Sequence, residues 1–407
     1  MHYYQLHQIL KTHFELPQNR KIISELGISI SHHAFESENA PFLLNGSGRL
    51  FCNKHAIHYE DVNEINENEV SLLDTSDFNI SCNKSFQYHI IKDSLLEQTQ
   101  GAIILFHGLN EKKWDKYLPW AYELARRTQK AVVLFPIAFH MDRAPEAWSE
   151  RKDMFEVSHQ RSSNFPDNSE SSYVNAAIST RLESNPQRIF WSGLQTYSDI
   201  IQFNTMVKQG KCEDIYPDST LDLFGYSIGS FLSMILMMAN PNEIFTNSKL
   251  FCFCGGMTID RMFPISKYIM DARAAVAMQK SFAELLNSNF ANVTRLAHYQ
   301  DTQLHKEESW FKVMLRYNYY EEEREKRIVE LQHQIKSLVL KKDKVTPAVE
   351  ALNTLQGGYR NIAVDVQIED FSHPYSHIIP FPLTEKNADE VNHSFAVFVD
   401  SVSAFLK

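Results

Sequence analysis

Five consecutive residues, Gly225-Tyr226-Ser227-Ile228-Gly229, carry the strongest chemical signal in this chain of 407 residues. An apolar run, LDLFG (221–225), leads into them, and a second apolar stretch, SFLSMILMMA (230–239), follows. Strand, tight turn and helix in that order force the serine into a strained bend that packs against neighbouring backbone. Side chains two before and two after it would clash, which is why glycine stands at both places. Such a turn lifts the Ser227 hydroxyl above a sheet. It also aims the free N–H groups of a helix start at any oxyanion that forms there. The chemistry this permits is nucleophilic attack on a carbonyl.

Other reactive residue types are less organised. His373 and His377 stand four apart, but on a proline-broken stretch with no third ligand near in sequence, so no metal site is expected there. His32-His33, His55 and His58 show no ligand spacing. Cys252-Phe253-Cys254 alternates along an apolar run and reads as buried small hydrophobes. Five cysteines in all (Cys52, Cys82, Cys212, Cys252, Cys254) are few and odd in number, which suits a reducing compartment. The chain holds neither a Walker motif nor a G-x-G-x-x-G, so no cofactor is implied.

The elements that must position Ser227 alternate. Strands are predicted over 86–93, 101–106, 131–135, 221–225, 249–254, 335–340 and 361–369, with helices over 3–14, 116–127, 194–210 and 230–239. The final helix places Val391, Phe395, Phe398, Val402 and Phe405 on one face. Continuous apolar strands between helices predict an α/β fold: a mostly parallel sheet with helices on both faces. Two stretches interrupt the alternation, a polar one over 137–193 and a helical one over 257–332. Both follow the carboxyl end of a strand, where open α/β sheets build ligand sites, and the second is expected to be a lid. The expected division is an N-terminal extension (1–85, with possible first strands), a core (86–256 and 333–407, with the polar insertion) and the helical lid.

From about residue 86 onward, the serine turn, the chain order and the His107-Gly108 pair together resemble the α/β-hydrolase superfamily. The resemblance implies a triad ordered serine, acid, histidine. Asp343, in KKDKVTP (341–347) after a strand, matches the acid segment, with Leu340 where glycine is usual; Asp260 is the runner-up. His373, at the end of IEDFSH (368–373) with Ser372 at another usual glycine, matches the histidine; His377 is its runner-up. Phe106-His107-Gly108-Leu109-Asn110 resembles the oxyanion loop. This implies donors at the Leu109 and Ile228 amides, a propping role for His107 and an extra donor at Asn110. Arg143 is either a surface residue or a partner for an anionic substrate group.

The implied activity is a serine hydrolase that cleaves a carboxylic ester or thioester, possibly an amide, through an acyl-enzyme on Ser227, with a small acyl compound as substrate. A ligand-binding protein without catalysis and an acyltransferase using the same triad are the alternatives. A serine at the turn argues against the aspartate-dependent dehalogenases and epoxide hydrolases of that superfamily. Forty basic against fifty acidic residues give a net charge of −10, which disfavours nucleic acid as a partner. No apolar run reaches the ~18 residues of a membrane span, and the first residues lack a secretory signal, so the expected location is cytoplasmic.

Overall fold

The computed structural model describes residues 1–16, 18–43, 50–59, 73 and 75–407. Among the described residues eleven strands form: β1 (Arg20–Ile23), β2 (Ile28–Glu36), β3 (Leu50–Cys52), β4 (Ile57–Tyr59), β5 (Ser85–Asp93), β6 (Thr99–Phe106), β7 (Ala131–Leu134), β8 (Ile215–Tyr226), β9 (Leu250–Phe253), β10 (Ile335–Leu340) and β11 (Asp365–Glu369). Nine of them make one sheet in the order β1-β2-β5-β7-β6-β8-β9-β10-β11, while β3 and β4 pair separately as a short hairpin. The six strands from β7 to β11 along that order run parallel. At the other edge β5, β2 and β1 are antiparallel additions. The sheet is therefore the mostly parallel α/β sheet the alternation predicts.

Strand alternation sorts each run to two cores. On β6, Ala102, Ile104 and Phe106 join one apolar cluster, whereas Ile103 and Leu105 join the other. The first cluster lies against the helices Arg188–Lys208, Ile228–Ala239 and Ala272–Asn287. The second lies against Tyr3–Phe14, Leu118–Thr128 and Ala388–Leu406. On the last of these helices Val391, Phe395, Phe398 and Val402 are all buried. Each such side chain contributes roughly 1.5–3 kcal/mol through removal from water.

The interrupting stretches are helical. Residues 137–193 form the helices Arg151–Asn164 and Ala176–Ser184, and the following helix starts at Arg188, earlier than the predicted 194. Residues 257–332 contain the helices Ala272–Asn287 and Glu321–Leu331. Among the described residues, no helix is long and apolar enough to cross a membrane.

Candidate active site

Four loops leave the carboxyl ends of parallel strands and meet over the sheet. Ser227 follows β8, Asp343 follows β10, the 370–382 loop follows β11, and Gly108-Leu109 follows β6. That edge is where open α/β sheets gather their ligand sites.

Ser227 sits at φ 56°, ψ −118°, a conformation side chains other than glycine rarely adopt, and it begins the helix Ile228–Ala239. The flanking glycines are sterically required. A Cβ on Gly225 would lie 2.5 Å from the Ser230 backbone, and one on Gly229 would lie 2.5 Å from the Phe106 carbonyl oxygen. The serine remains only 4% exposed.

His377, not His373, faces it. His377 Nε2 lies 2.9 Å from Ser227 Oγ, and His377 Nδ1 lies 2.7 Å from Asp343 Oδ2. Asp343 accepts further bonds from the amides of Val345 (2.8 Å) and Thr346 (3.1 Å) and from the Thr346 hydroxyl (2.7 Å). Burial by itself would raise the Asp343 carboxyl. The adjacent His377 and the bonds from His377 and Thr346 outweigh that and hold it below its ordinary value. With Asp343 as acceptor, Nδ1 carries the imidazole proton and Nε2 presents its lone pair to the serine hydroxyl.

The sequence-level choice of His373 is corrected by its surroundings. Its Nε2 lies 2.9 Å from the Pro380 carbonyl oxygen and its Nδ1 lies 3.2 Å from the Ser394 hydroxyl, so both nitrogens tie the loop to itself and to the C-terminal helix. Its ring also stacks beside Phe371. Asp260 is likewise elsewhere. It accepts from the Thr258 hydroxyl (2.7 Å) and the Tyr317 amide (3.0 Å), which organise the 257–332 segment.

Tyr226, at a variable position of the serine motif, holds the histidine that faces Ser227, a contact not read from the sequence. Its ring stacks on His377 at 5.3 Å between centroids, and its hydroxyl donates to the His377 carbonyl. Lys116 adds a bond of 3.1 Å to the Ile378 carbonyl. Cys254 is fully buried beside Asp343; burial raises its thiol, and the aspartate adds to that. Cys254, Asp343 and His377 could together reach one cation, since their ligand atoms lie within 4.8 Å of one another. His377 and Asp343 are, however, already paired with each other.

The β6 loop is braced by His107. Its Nε2 accepts from the Ile137 amide (3.0 Å), so Nδ1 donates to the Gly108 carbonyl (2.8 Å). The Gly108 amide donates to the Tyr117 hydroxyl (2.9 Å). Among the described residues, neither the Leu109 nor the Ile228 amide donates a hydrogen bond. Asn110 does not add its side chain to them, because its amide nitrogen donates to the Val174 (3.1 Å) and Tyr268 (2.7 Å) carbonyls. Arg143 is neither on the surface nor in a substrate pocket. It is fully buried, pairs with Asp199 at 2.8 Å, bonds to Asn83 and lies over the Phe86 ring.

A profile of a family of unknown function, DUF6051, matches residues 1–407. The chain belongs to the DUF6051 family. No curated protein matches it. Among solved structures, this DUF6051 chain is similar to a thermostable esterase from Pseudomonas putida (13% identity, 99% of this chain and 92% of that one, TM-score 0.40). It is also similar to a cold-adapted esterase from an Arctic intertidal metagenomic library (9% identity, 95% and 97%, TM-score 0.39). A third is carboxyl esterase 2 from the mycorrhizal fungus Tuber melanosporum (10% identity, 80% and 82%, TM-score 0.39).

Two cavities of the DUF6051 chain meet at Leu109 and Ile228. The larger encloses about 820 Å³ of empty space, mouth included, and is walled by Ile137, Phe139, Trp148, Ile178, Leu182 and Phe231. The smaller, about 310 Å³, has Ser227 in its wall beside Ile259, Met262, Ile269, Met278 and Val345. Ile259, Met262, Ile269 and Met278 of that wall come from the segment 257–332.

Proposed function

We propose that this chain is a serine hydrolase of the α/β-hydrolase superfamily that cleaves carboxylic esters through an acyl-enzyme on Ser227. The observation that carries the reading is the unbroken hydrogen-bonded line from Ser227 Oγ through His377 to Asp343. In this reading His377 Nε2 takes the hydroxyl proton as Oγ attacks the ester carbonyl. Asp343 holds the imidazole in the required tautomer and stabilises the imidazolium. The carbonyl oxygen becomes an oxyanion and is received by the unengaged Leu109 and Ile228 amides, each lowering the barrier by roughly 3 kcal/mol. His377 then hands its proton to the departing alkoxide, and the alcohol leaves. Water, deprotonated by the same imidazole, attacks the acyl-enzyme and releases the acid, restoring the serine.

The two cavities on either side of Leu109 and Ile228, mostly apolar but with Lys112, Arg181 and Arg188 also lining the larger, leave room for an acyl chain on one side and the leaving group on the other. A thioester fits the same scheme with a thiol leaving group. The 257–332 segment acts in this reading as a lid that excludes water from the acyl-enzyme. A fluorophosphonate probe should label the wild-type chain at Ser227. Ser227→Ala should abolish both the label and p-nitrophenyl ester turnover. Undiminished turnover in that variant would overturn the reading.

A further inference from the structure

Far along the chain from Ser227, a second group of reactive side chains comes together between the β3–β4 hairpin and the segment around 298–305. Cys52 ends β3 and His55 lies in the turn that follows. Cys52 Sγ is 3.4 Å from His55 Nδ1 and 3.1 Å from His305 Nε2. One ligand atom from each of Cys52, His298 and His305 lies within 4.8 Å of the others, and all three residues are at least nine-tenths buried. The rings of His55, His298 and His305 lie 5.0–5.7 Å apart between centroids.

Proton bookkeeping shows what is missing. His55 Nε2 lies 3.2 Å from the Asp301 carboxylate, His305 Nδ1 lies 3.3 Å from the Glu308 carboxylate, and His298 Nδ1 lies 2.6 Å from the Arg295 carbonyl. The Asp301 and Arg295 partners only accept, so His55 Nε2 and His298 Nδ1 carry protons and the inner nitrogens of those two rings are left with lone pairs, whereas His305 Nδ1 stands near Glu308 without a hydrogen bond. Two lone pairs and the His305 Nε2 therefore converge on a single thiol, which has one proton to give. His298 Nε2 is buried without a hydrogen-bond partner. A buried acceptor left in that state costs about 1–3 kcal/mol unless something fills the gap.

A divalent cation fills it. Tetrahedral coordination by one thiolate and three imidazoles would set sulfur and nitrogen about 3.5 Å apart, given Zn–S near 2.3 Å and Zn–N near 2.0 Å. The observed 3.1 and 3.4 Å from Cys52 Sγ are close to that, and His55, which stands outside the group of Cys52, His298 and His305 whose ligand atoms lie within 4.8 Å of one another, closes in from the Cys52 side. The Asp301 carboxylate on His55 and the Arg295 carbonyl on His298 are the kind of outer acceptor that orients histidines for a metal. We propose that Cys52, His55, His298 and His305 bind one zinc ion in a closed, four-ligand structural site. It clamps the β3–β4 hairpin to the 298–305 segment. A hairpin this short, three residues per strand, is marginal on its own. Binding deprotonates Cys52, releasing one proton to solvent, and requires no redox step. With four protein ligands, no position remains for an activated water, so the site is independent of the hydrolase reading.

The full chain, purified without chelators and then incubated with zinc, should contain about one zinc per chain by elemental mass spectrometry. Ser227→Ala should keep it. The double variant Cys52→Ser, His298→Gln should lose it, and because those changes could impair folding, the wild-type chain is also to be loaded with cobalt. The cobalt form should show a thiolate-to-metal charge-transfer band in the near ultraviolet and a tetrahedral visible spectrum. The proposal is overturned by a zinc-incubated wild-type chain without bound metal. It is equally overturned by full stoichiometry in the double variant, or by a cobalt spectrum without the thiolate band.

Discussion

The Ser227 centre and the Cys52 cluster contain the same kinds of side chain, yet they solve opposite problems. Along the line from Ser227 to Asp343 each donor meets an acceptor: hydroxyl to Nε2, Nδ1–H to carboxylate, and backbone amides to the second carboxylate oxygen. Such a line moves a proton along itself and needs nothing added. At Cys52 the His55 and His298 tautomers turn lone pairs inward, with His298 Nε2 unpartnered. In the proposed zinc site that arrangement receives a cation and moves no proton. Residue inventory does not separate a catalytic cluster from a ligand cluster, whereas the direction of each outer hydrogen bond does.

Three changes sharpen this contrast, and the largest effect belongs to the carboxylate at Ser227. Asp343→Asn keeps the shape but can donate to Nδ1, which favours the wrong tautomer. Ester turnover should fall by about 10⁴-fold while zinc content is unchanged. Loss of less than about tenfold would mean Asp343 does not hold the tautomer. An intermediate effect is expected at the other cluster. Asp301→Ala removes the acceptor on His55 Nε2 and should weaken zinc affinity by about 10–100-fold in competition with a chelator, leaving kcat in place. Equal affinity in that variant would break the argument from tautomers.

The smallest effect is on acid stability. The Asp343 carboxyl titrates below its unfolded value in the folded chain. Its contribution is therefore complete above about pH 5 and disappears as pH falls through the lowered folded value. Denaturant melts of wild type and Asp343→Asn should differ by a constant amount above about pH 5 and converge only as pH falls through the lowered folded value. A difference that grows in acid would carry the wrong sign.

Much of the sheet was legible because its parallel strands are buried on both faces and read as continuous apolar runs. Residues 335–340 coincide with the predicted strand to the residue. The serine turn was legible for a different reason, since only glycine tolerates the contacts at 225 and 229. β2 was not, because His32, His33 and three serines or acids break its apolar pattern at the antiparallel edge. β11 came out shorter than 361–369, since the amide of Ile362 bonds to Gln356 and that of Ala363 to Gln332 instead of joining the ladder. The choice between His373 and His377 lay beyond sequence reasoning. Both sit on an irregular loop without a period, and what orients them is Tyr226 and Ser394 from distant elements. The Cys52 cluster was invisible for the same reason: His55 and His298 are far apart in the chain and meet only through tertiary packing.

The central claim is the line from Ser227 through His377, and two variants assayed side by side test it most directly. Turnover of a p-nitrophenyl ester is to be measured for His377→Ala and His373→Ala, each verified as folded by thermal melting. The account predicts that His377→Ala loses on the order of 10⁴-fold or more in kcat, whereas His373→Ala stays within about tenfold of wild type. A His377→Ala enzyme that turns over normally, beside an inert His373→Ala, would contradict it.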